Sequence, residues 1–147
     1  TTGFRMDFSP VLRNETSPLV AYKTLNYGDC ILEKRAAISL GFNERIFLNT
    51  KGQLCEGTAT NLFLVRGGHI LTPALSCGLL PGILREYLLE TYEITETILY
   101  PEDLADCDEC FVTNSLMGIM PVTQLGEKKF LQRDTADRLQ AEYQAFV

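Results

Sequence analysis

The runs Leu62-Phe63-Leu64-Val65 and His69-Ile70-Leu71, separated by Gly67-Gly68, constrain the fold more than any other part of the chain. Two short apolar segments on either side of a glycine pair read as antiparallel neighbours joined by a tight reversal, because glycine adopts the backbone conformations that such a turn demands. A hairpin is expected there. Further short extended segments are expected at 4–12, broken by Pro10, at 45–48, at 53–55 after a turn at 50–52, at 94–99 and at 109–113, with a last one starting at Met120.

Helical patterning falls in three longer runs and one short turn. From about Tyr27, Ile31, Leu32, Arg35, Ala36, Ile38, Ser39 and Leu40 form a stripe that Gly41 stops. After Leu80-Pro81-Gly82 comes a helix of about ten residues reaching Leu89, with proline expected at its first position. Residues 133–146 read as an exposed amphipathic terminal helix, 101–104 as a short helical turn, and 13–18 as a polar turn. Strands outnumber helices and several are hairpin-linked, which predicts a mixed α+β fold with helices packed around a β-rich core.

At 147 residues, 46% hydrophobic and 22% charged, the chain is expected to form one globular domain, 1–147. No apolar run approaches the roughly 18 residues of a membrane span, and no basic segment leads into an apolar export signal. A net charge of −6 with scattered basic residues argues against nucleic acid, although a small phosphate ligand needs only a few local donors. Five scattered cysteines, an odd number without an export signal, predict reduced thiols in a cytoplasmic protein. Cys107-Asp-Glu-Cys110 has zinc-like or redox-like spacing, but no second pair follows and the one histidine, His69, stands beside the glycine turn, so a metal would lack ligands. The opening Thr1-Thr2-Gly3, without methionine, suggests processing or a piece of something longer.

Four stretches carry residues suited to chemistry. Ala21-Tyr22-Lys23-Thr24-Leu25-Asn26-Tyr27 holds a single lysine among apolar and aromatic neighbours, where an ordinary surface lysine is the plain alternative. Cys55-Glu56-Gly57-Thr58-Ala59-Thr60-Asn61-Leu62-Phe63 has an acid at a strand end, and a solvated glutamate in a turn would look the same. The loop 71–82 feeds a helix start at Gly82-Ile83-Leu84-Arg85, where free N–H groups and the macrodipole favour an anion, as they do in any capped helix. Thr113-Asn114-Ser115 is a strand-to-loop transition bearing hydroxyl and amide donors. Each signal is weak singly, but one ligand could use all four. An aldehyde cofactor needs an amine, its pyridine nitrogen a carboxylate, and its phosphate a helix N-terminus with donors.

These stretches, in this order and at this spacing from about Ser17 to Val122, resemble the class IV (fold type IV) pyridoxal-phosphate enzymes, which include branched-chain aminotransferases, D-amino acid aminotransferases and 4-amino-4-deoxychorismate lyases. The resemblance implies a barrel-like mixed sheet with surrounding helices, as in that family's larger domain, and pyridoxal 5'-phosphate as cofactor. It implies that Lys23 is the cofactor-linked lysine, that Tyr27 contacts the cofactor's phenolic oxygen, and that Glu56 pairs with the pyridine nitrogen. Gly82, Ile83 and Leu84, with Asn114 and Ser115, correspond to the phosphate cradle. A small-molecule substrate and a homodimer are further expectations of the likeness, with no nucleic acid and no membrane.

The family's first domain has no counterpart in the 147 residues, and Leu84 stands where aminotransferase members usually have threonine. The run Asn114-Ser115-Leu116-Met117-Gly118-Ile119-Met120-Pro121-Val122 looks more like the lyases. The expected reaction is therefore conversion of 4-amino-4-deoxychorismate to p-aminobenzoate and pyruvate, a step toward folate. A class IV aminotransferase and an inert, truncated cofactor domain are the alternatives. Other residues have plainer expectations: Tyr22, Phe42, Phe47, Phe63, Tyr92 and Phe111 in packing, Arg85 on a helix face near the phosphate, and Asp29, Glu33, Glu86 and Glu90 in solvent. The acidic group Glu102, Asp103, Asp106, Asp108 and Glu109 lacks calcium-loop spacing.

Overall fold

A computed structural model describes residues 3–16 and 27–147, with the side chains of 27–29 excluded; Lys23 and Tyr22 lie outside the described residues. In chain order the strands are β1 (Phe4–Arg13), β2 (Glu44–Asn49), β3 (Leu54–Gly57), β4 (Asn61–Arg66), β5 (His69–Pro73), β6 (Ile94–Thr97), β7 (Glu109–Asn114), β8 (Gly118–Leu125) and β9 (Lys128–Lys129). Helix α1 (Tyr27–Ser39) follows β1, α2 (Ile83–Thr91) follows β5, and α3 (Asp134–Phe146) ends the chain. The sheet runs β3-β2-β1-β8-β7-β4-β5-β6, and an added β3–β4 pairing closes the first six of these strands into a barrel. β1 is parallel to both β2 and β8, whereas β4 is antiparallel to β3, β5 and β7, so the sheet is mixed.

Alternation along β4 explains its two-sided burial. Leu62 and Leu64 join Met6, Ile46, Val112 and Leu125 in one core cluster. Phe63 and Val65 point the other way, with Leu84 and Leu88 of α2 and Ala136 and Leu139 of α3. Phe63 and Phe111 are cross-strand partners, their rings stacked 4.9 Å apart. A third cluster of Phe47, Cys55 and Cys77, with Cys30 packed on it, lies between the sheet and α1. All five cysteines are free thiols. Among the described residues no helix is long and apolar enough to cross a membrane, and no His/Cys/Asp/Glu group could hold a metal ion.

Several expectations need correction. Pro10 does not break β1: the strand runs through it, with a shift in register against β2 between Phe8 and Leu12. Arg13, expected in a polar turn, is the buried last residue of that strand. The stripe on α1 is not the buried face. Leu32, Ile38 and Leu40 are exposed, whereas Glu33 and Ala37, one turn apart, face inward. Glu33 is drawn in by partners on two strands, the Ser9 hydroxyl and Arg45 Nη1 at 3.0 Å. Pro81 precedes the helix it was expected to open, since Gly82 is the N-cap of α2. The last expected strand begins earlier, at Gly118. Glu109, grouped by sequence with the acidic residues at 102–108, is buried and accepts the Thr135 N–H at 3.0 Å, capping the start of α3.

Candidate active site

A cavity of about 780 Å³ opens where the β3–β4 turn, the N-terminus of α2, the end of β7 and the Cys30–Arg35 part of α1 converge. That volume falls within the roughly 300–1,000 Å³ usual for small-molecule sites. Its walls include Glu56, Thr58, Asn61, Gly82, Thr113 and Ser115, so the stretches singled out at 55–63, 71–85 and 113–115 meet around one space. Tyr27 is the first residue of α1, and its side chain, like the whole of Lys23, lies outside the described residues.

Glu56 is buried at 7% exposure. Its Oε1 accepts the Leu80 N–H at 3.1 Å, and its Oε2 lies 3.6 Å from Arg13 Nη2. Burial pushes its carboxyl up to about 7. Arg13 opposes that shift, the Leu80 N–H adds a smaller opposing pull, the Glu44 charge reinforces the rise, and Arg85 opposes it. A carboxylate so placed gains from a cation or N–H donor brought into the cavity.

In the same cavity wall α2 begins without a side-chain cap on Gly82. The first intrahelical bond is Glu86 N–H to Gly82 O, at 3.0 Å, so the amides of Ile83, Leu84 and Arg85 are the unpaired donors of a helix start. The Leu84 side chain is buried in the cluster behind, leaving its amide as the group it can offer a ligand. The Thr113 hydroxyl is buried in the cavity wall and has no partner among the described residues. Asn114 donates to Ala59 O at 3.1 Å and accepts the Leu116 and Met117 amides at 3.1 and 2.7 Å. Its carboxamide therefore shapes the loop that carries the exposed Ser115.

Arg85 was expected on a helix face near the phosphate. It is 1% exposed and its charge is met by Glu86 at 2.6 Å and Glu96 at 2.7 Å, with Pro73 O at 3.2 Å. Glu86 is thus an ion-pair partner rather than a purely solvated charge. Sequence reasoning gave Arg13 no part in the site, and nothing local signals it. Asn61 and Thr113 stood inside the stretches singled out at 55–63 and 113–115, but neither was assigned a role of its own.

The chain belongs to the amino-transferase class IV family, whose model matches residues 5–125. That family is pyridoxal-phosphate-dependent. The chain is 32% identical over 139 residues to a protein of Thermotoga maritima named "Probable branched-chain-amino-acid aminotransferase", covering 90% of this chain and 50% of that one. A Legionella pneumophila structure named "Putative 4-amino-4-deoxychorismate lyase" superposes with a TM-score of 0.91 at 31% identity, over 99% of this chain and 56% of that one. A Brucella abortus aminotransferase bound to the cofactor PLP superposes with a TM-score of 0.86 at 26% identity, over 99% of this chain and 54% of that one. The chain spans about half the length of the curated relatives it matches. The α+β barrel expected from the sequence is the one these structures share.

Proposed function

We propose that this chain is the cofactor-bearing domain of a pyridoxal-phosphate enzyme acting on a small amino substrate. The observation that carries the reading is one cavity with an under-partnered buried carboxylate at Glu56 and uncapped amides at the start of α2. These fit the cofactor's two ends: a basic ring nitrogen whose protonated form pairs with an anion, and a phosphate that takes N–H and hydroxyl donors. When bound, the cofactor supplies an electron sink for negative charge developing on the substrate carbon.

The chain's residues do the rest. Glu56 as an anion holds a proton on the ring nitrogen. The amides of Gly82, Ile83 and Leu84 and the hydroxyl of Ser115 bind the phosphate, on the loop that Asn114 braces. Tyr27 contacts the phenolic oxygen. Lys23 Nζ would supply the amine that links the cofactor and, when free and neutral, the base that moves the proton at the substrate carbon.

Within this class we propose the lyase reaction, release of pyruvate from 4-amino-4-deoxychorismate to leave p-aminobenzoate. The Asn114–Val122 run, Leu84 and the likeness to the Legionella structure support it. The identity to the Thermotoga protein favours a second reading, transfer of an amino group between an amino acid and a 2-oxo acid. The test uses the full-length protein. Pyruvate and p-aminobenzoate formed with no added 2-oxo acid establish the lyase, whereas activity that requires 2-oxoglutarate and yields glutamate replaces it. A yellow, borohydride-sensitive protein that loses its colour on Lys23→Ala supports the shared cofactor reading. A protein that stays colourless with pyridoxal phosphate is the inert domain instead.

A further inference from the structure

Leu80 stands just ahead of the N-cap of α2, and a single hairpin holds its two peptide groups. Its N–H donates to Glu56 Oε1 at 3.1 Å, and its carbonyl accepts from Asn61 Nδ2 at 2.9 Å. Glu56 and Asn61 are directly paired residues across β3 and β4, the turn between them closed by Gly57 N–H to Thr60 O at 2.9 Å. The carboxamide of Asn61 is buried, and its Oδ1 fills the space where a Cβ on residue 82 would stand. Gly82 has an ordinary φ of −64°. Glycine is thus required there for room beside Asn61 and not for backbone freedom.

We propose that Asn61 is a positioning residue that fixes the N-terminus of α2 relative to Glu56, and so sets the span between the ring end and the phosphate end of the cavity. The inference rests on the cofactor reading above. Asn61 acts through the Leu80 carbonyl, on the same residue whose N–H Glu56 accepts. A register error between β3 and β4 would release both clamps together, because both belong to one cross-strand pair. Aspartate at this position would have nearly the same volume but, when ionised, no proton to give the carbonyl. Loss of the Leu80 contact leaves the hairpin ladder intact and frees the helix start to shift, and placement errors of that size weaken binding at the end that moves.

The test compares pyridoxal phosphate with pyridoxal, which lacks the phosphate, as ligands of the full chain, by fluorescence and visible absorbance. Asn61→Ala should weaken pyridoxal phosphate by about tenfold, the equivalent of one neutral hydrogen bond, and pyridoxal by less than about threefold. In the ligand-free chain, amide exchange at 82–85 should quicken while the β4–β7 amides stay protected. Should Asn61→Ala fail to fold, Asn61→Leu keeps most of the volume, removes the donor without adding a charge and is read in the same way. Equal loss of both ligands, or no loss of either, overturns the inference while leaving the cofactor reading in place. A wild-type chain that binds neither ligand removes the cofactor reading and the inference with it.

Discussion

Glu44 on β2 and Glu56 on β3 are buried carboxylates on adjacent strands, yet their surroundings differ in kind. Glu44 is fully buried and saturated: it accepts from Arg45 N–H at 2.9 Å, Thr58 Oγ1 at 2.5 Å, Ala59 N–H at 3.2 Å and Thr60 Oγ1 at 2.9 Å. Glu56 has one backbone donor and an arginine at 3.6 Å, and otherwise faces a cavity. The contrast separates a carboxylate that builds the turn at 57–60 from one that the turn holds ready for a ligand. Full satisfaction makes a buried charge structural, and partial satisfaction leaves it reactive.

The largest expected effect comes from breaking the saturated member. Glu44→Ala strands two hydroxyls and the Arg45 N–H in the interior, and at about 1–3 kcal/mol for a buried unsatisfied group the loss should be at least roughly 3 kcal/mol. Urea unfolding measures it; a loss under about 1 kcal/mol would mean that solvent reaches the turn. Glu56→Gln should differ in sign as well as size. The native carboxyl titrates at about 7 against an ordinary 4.5. Between those values the folded chain holds more protons than the unfolded one, so stability falls as pH rises from about 4.5 to 7 and levels off above. This one group contributes at most about 1.4 kcal/mol per pH unit. In Glu56→Gln that fall should disappear, leaving the variant more stable than wild type at pH 8 while unable to hold a proton on a bound ring nitrogen. Parallel pH–stability profiles for the two proteins would refute the assignment.

The contrast also shows what the sequence could disclose. Glu56 was legible because it stands in a short motif at a strand end, beside the hairpin that alternation and the glycine pair announced. Arg13, 43 residues away by number, was not. Its surroundings read as a polar turn, and only the fold puts its guanidinium 4.2 Å over the Phe47 ring, 3.2 Å from Cys30 Sγ and beside Glu56. Glu33 was misread for the same reason: nothing local signals that Ser9 and Arg45 will receive it. Local periodicity finds strands that bury one face against the core, but a buried charge is decided by partners far off in the chain. Lys23, on which the proposed chemistry turns, was read from motif order alone.

Arg13→Met tests the pair from its other side, with a smaller effect. Arg13 opposes the upward push of burial on Glu56, so removing its charge should raise the Glu56 midpoint further. The groups around that carboxyl are Arg13 from β1, Cys30 from α1, Glu44 from β2 and Arg85 from α2. Carbon-13 detection of the glutamate carboxyls would follow the midpoint without any ligand. Arg13→Lys, which keeps the charge, should restore most of the wild-type value. An unchanged midpoint in the methionine variant would show that solvent screens the 3.6 Å pair.

The smallest effect should come from two threonines that carry the same contrast at the level of hydroxyls. Thr58 Oγ1 donates to Glu44, whereas Thr113 Oγ1 is buried without a partner among the described residues. Valine is close in shape to threonine, so each substitution mainly removes a hydroxyl. Thr58→Val should destabilise by about 1–2 kcal/mol, because it takes one donor from a buried carboxylate. Thr113→Val should be neutral or stabilise by up to about 1 kcal/mol in the ligand-free chain, because an unpaired buried hydroxyl gains nothing from staying. If the Thr113 hydroxyl serves a ligand in the cavity, the same variant weakens pyridoxal phosphate binding while it strengthens the fold. Thermal unfolding with and without pyridoxal phosphate separates the two effects. A Thr113→Val chain destabilised as much as Thr58→Val would mean that the hydroxyl is already satisfied, and that polar wall would then resemble the Glu44 turn instead of the Glu56 pocket.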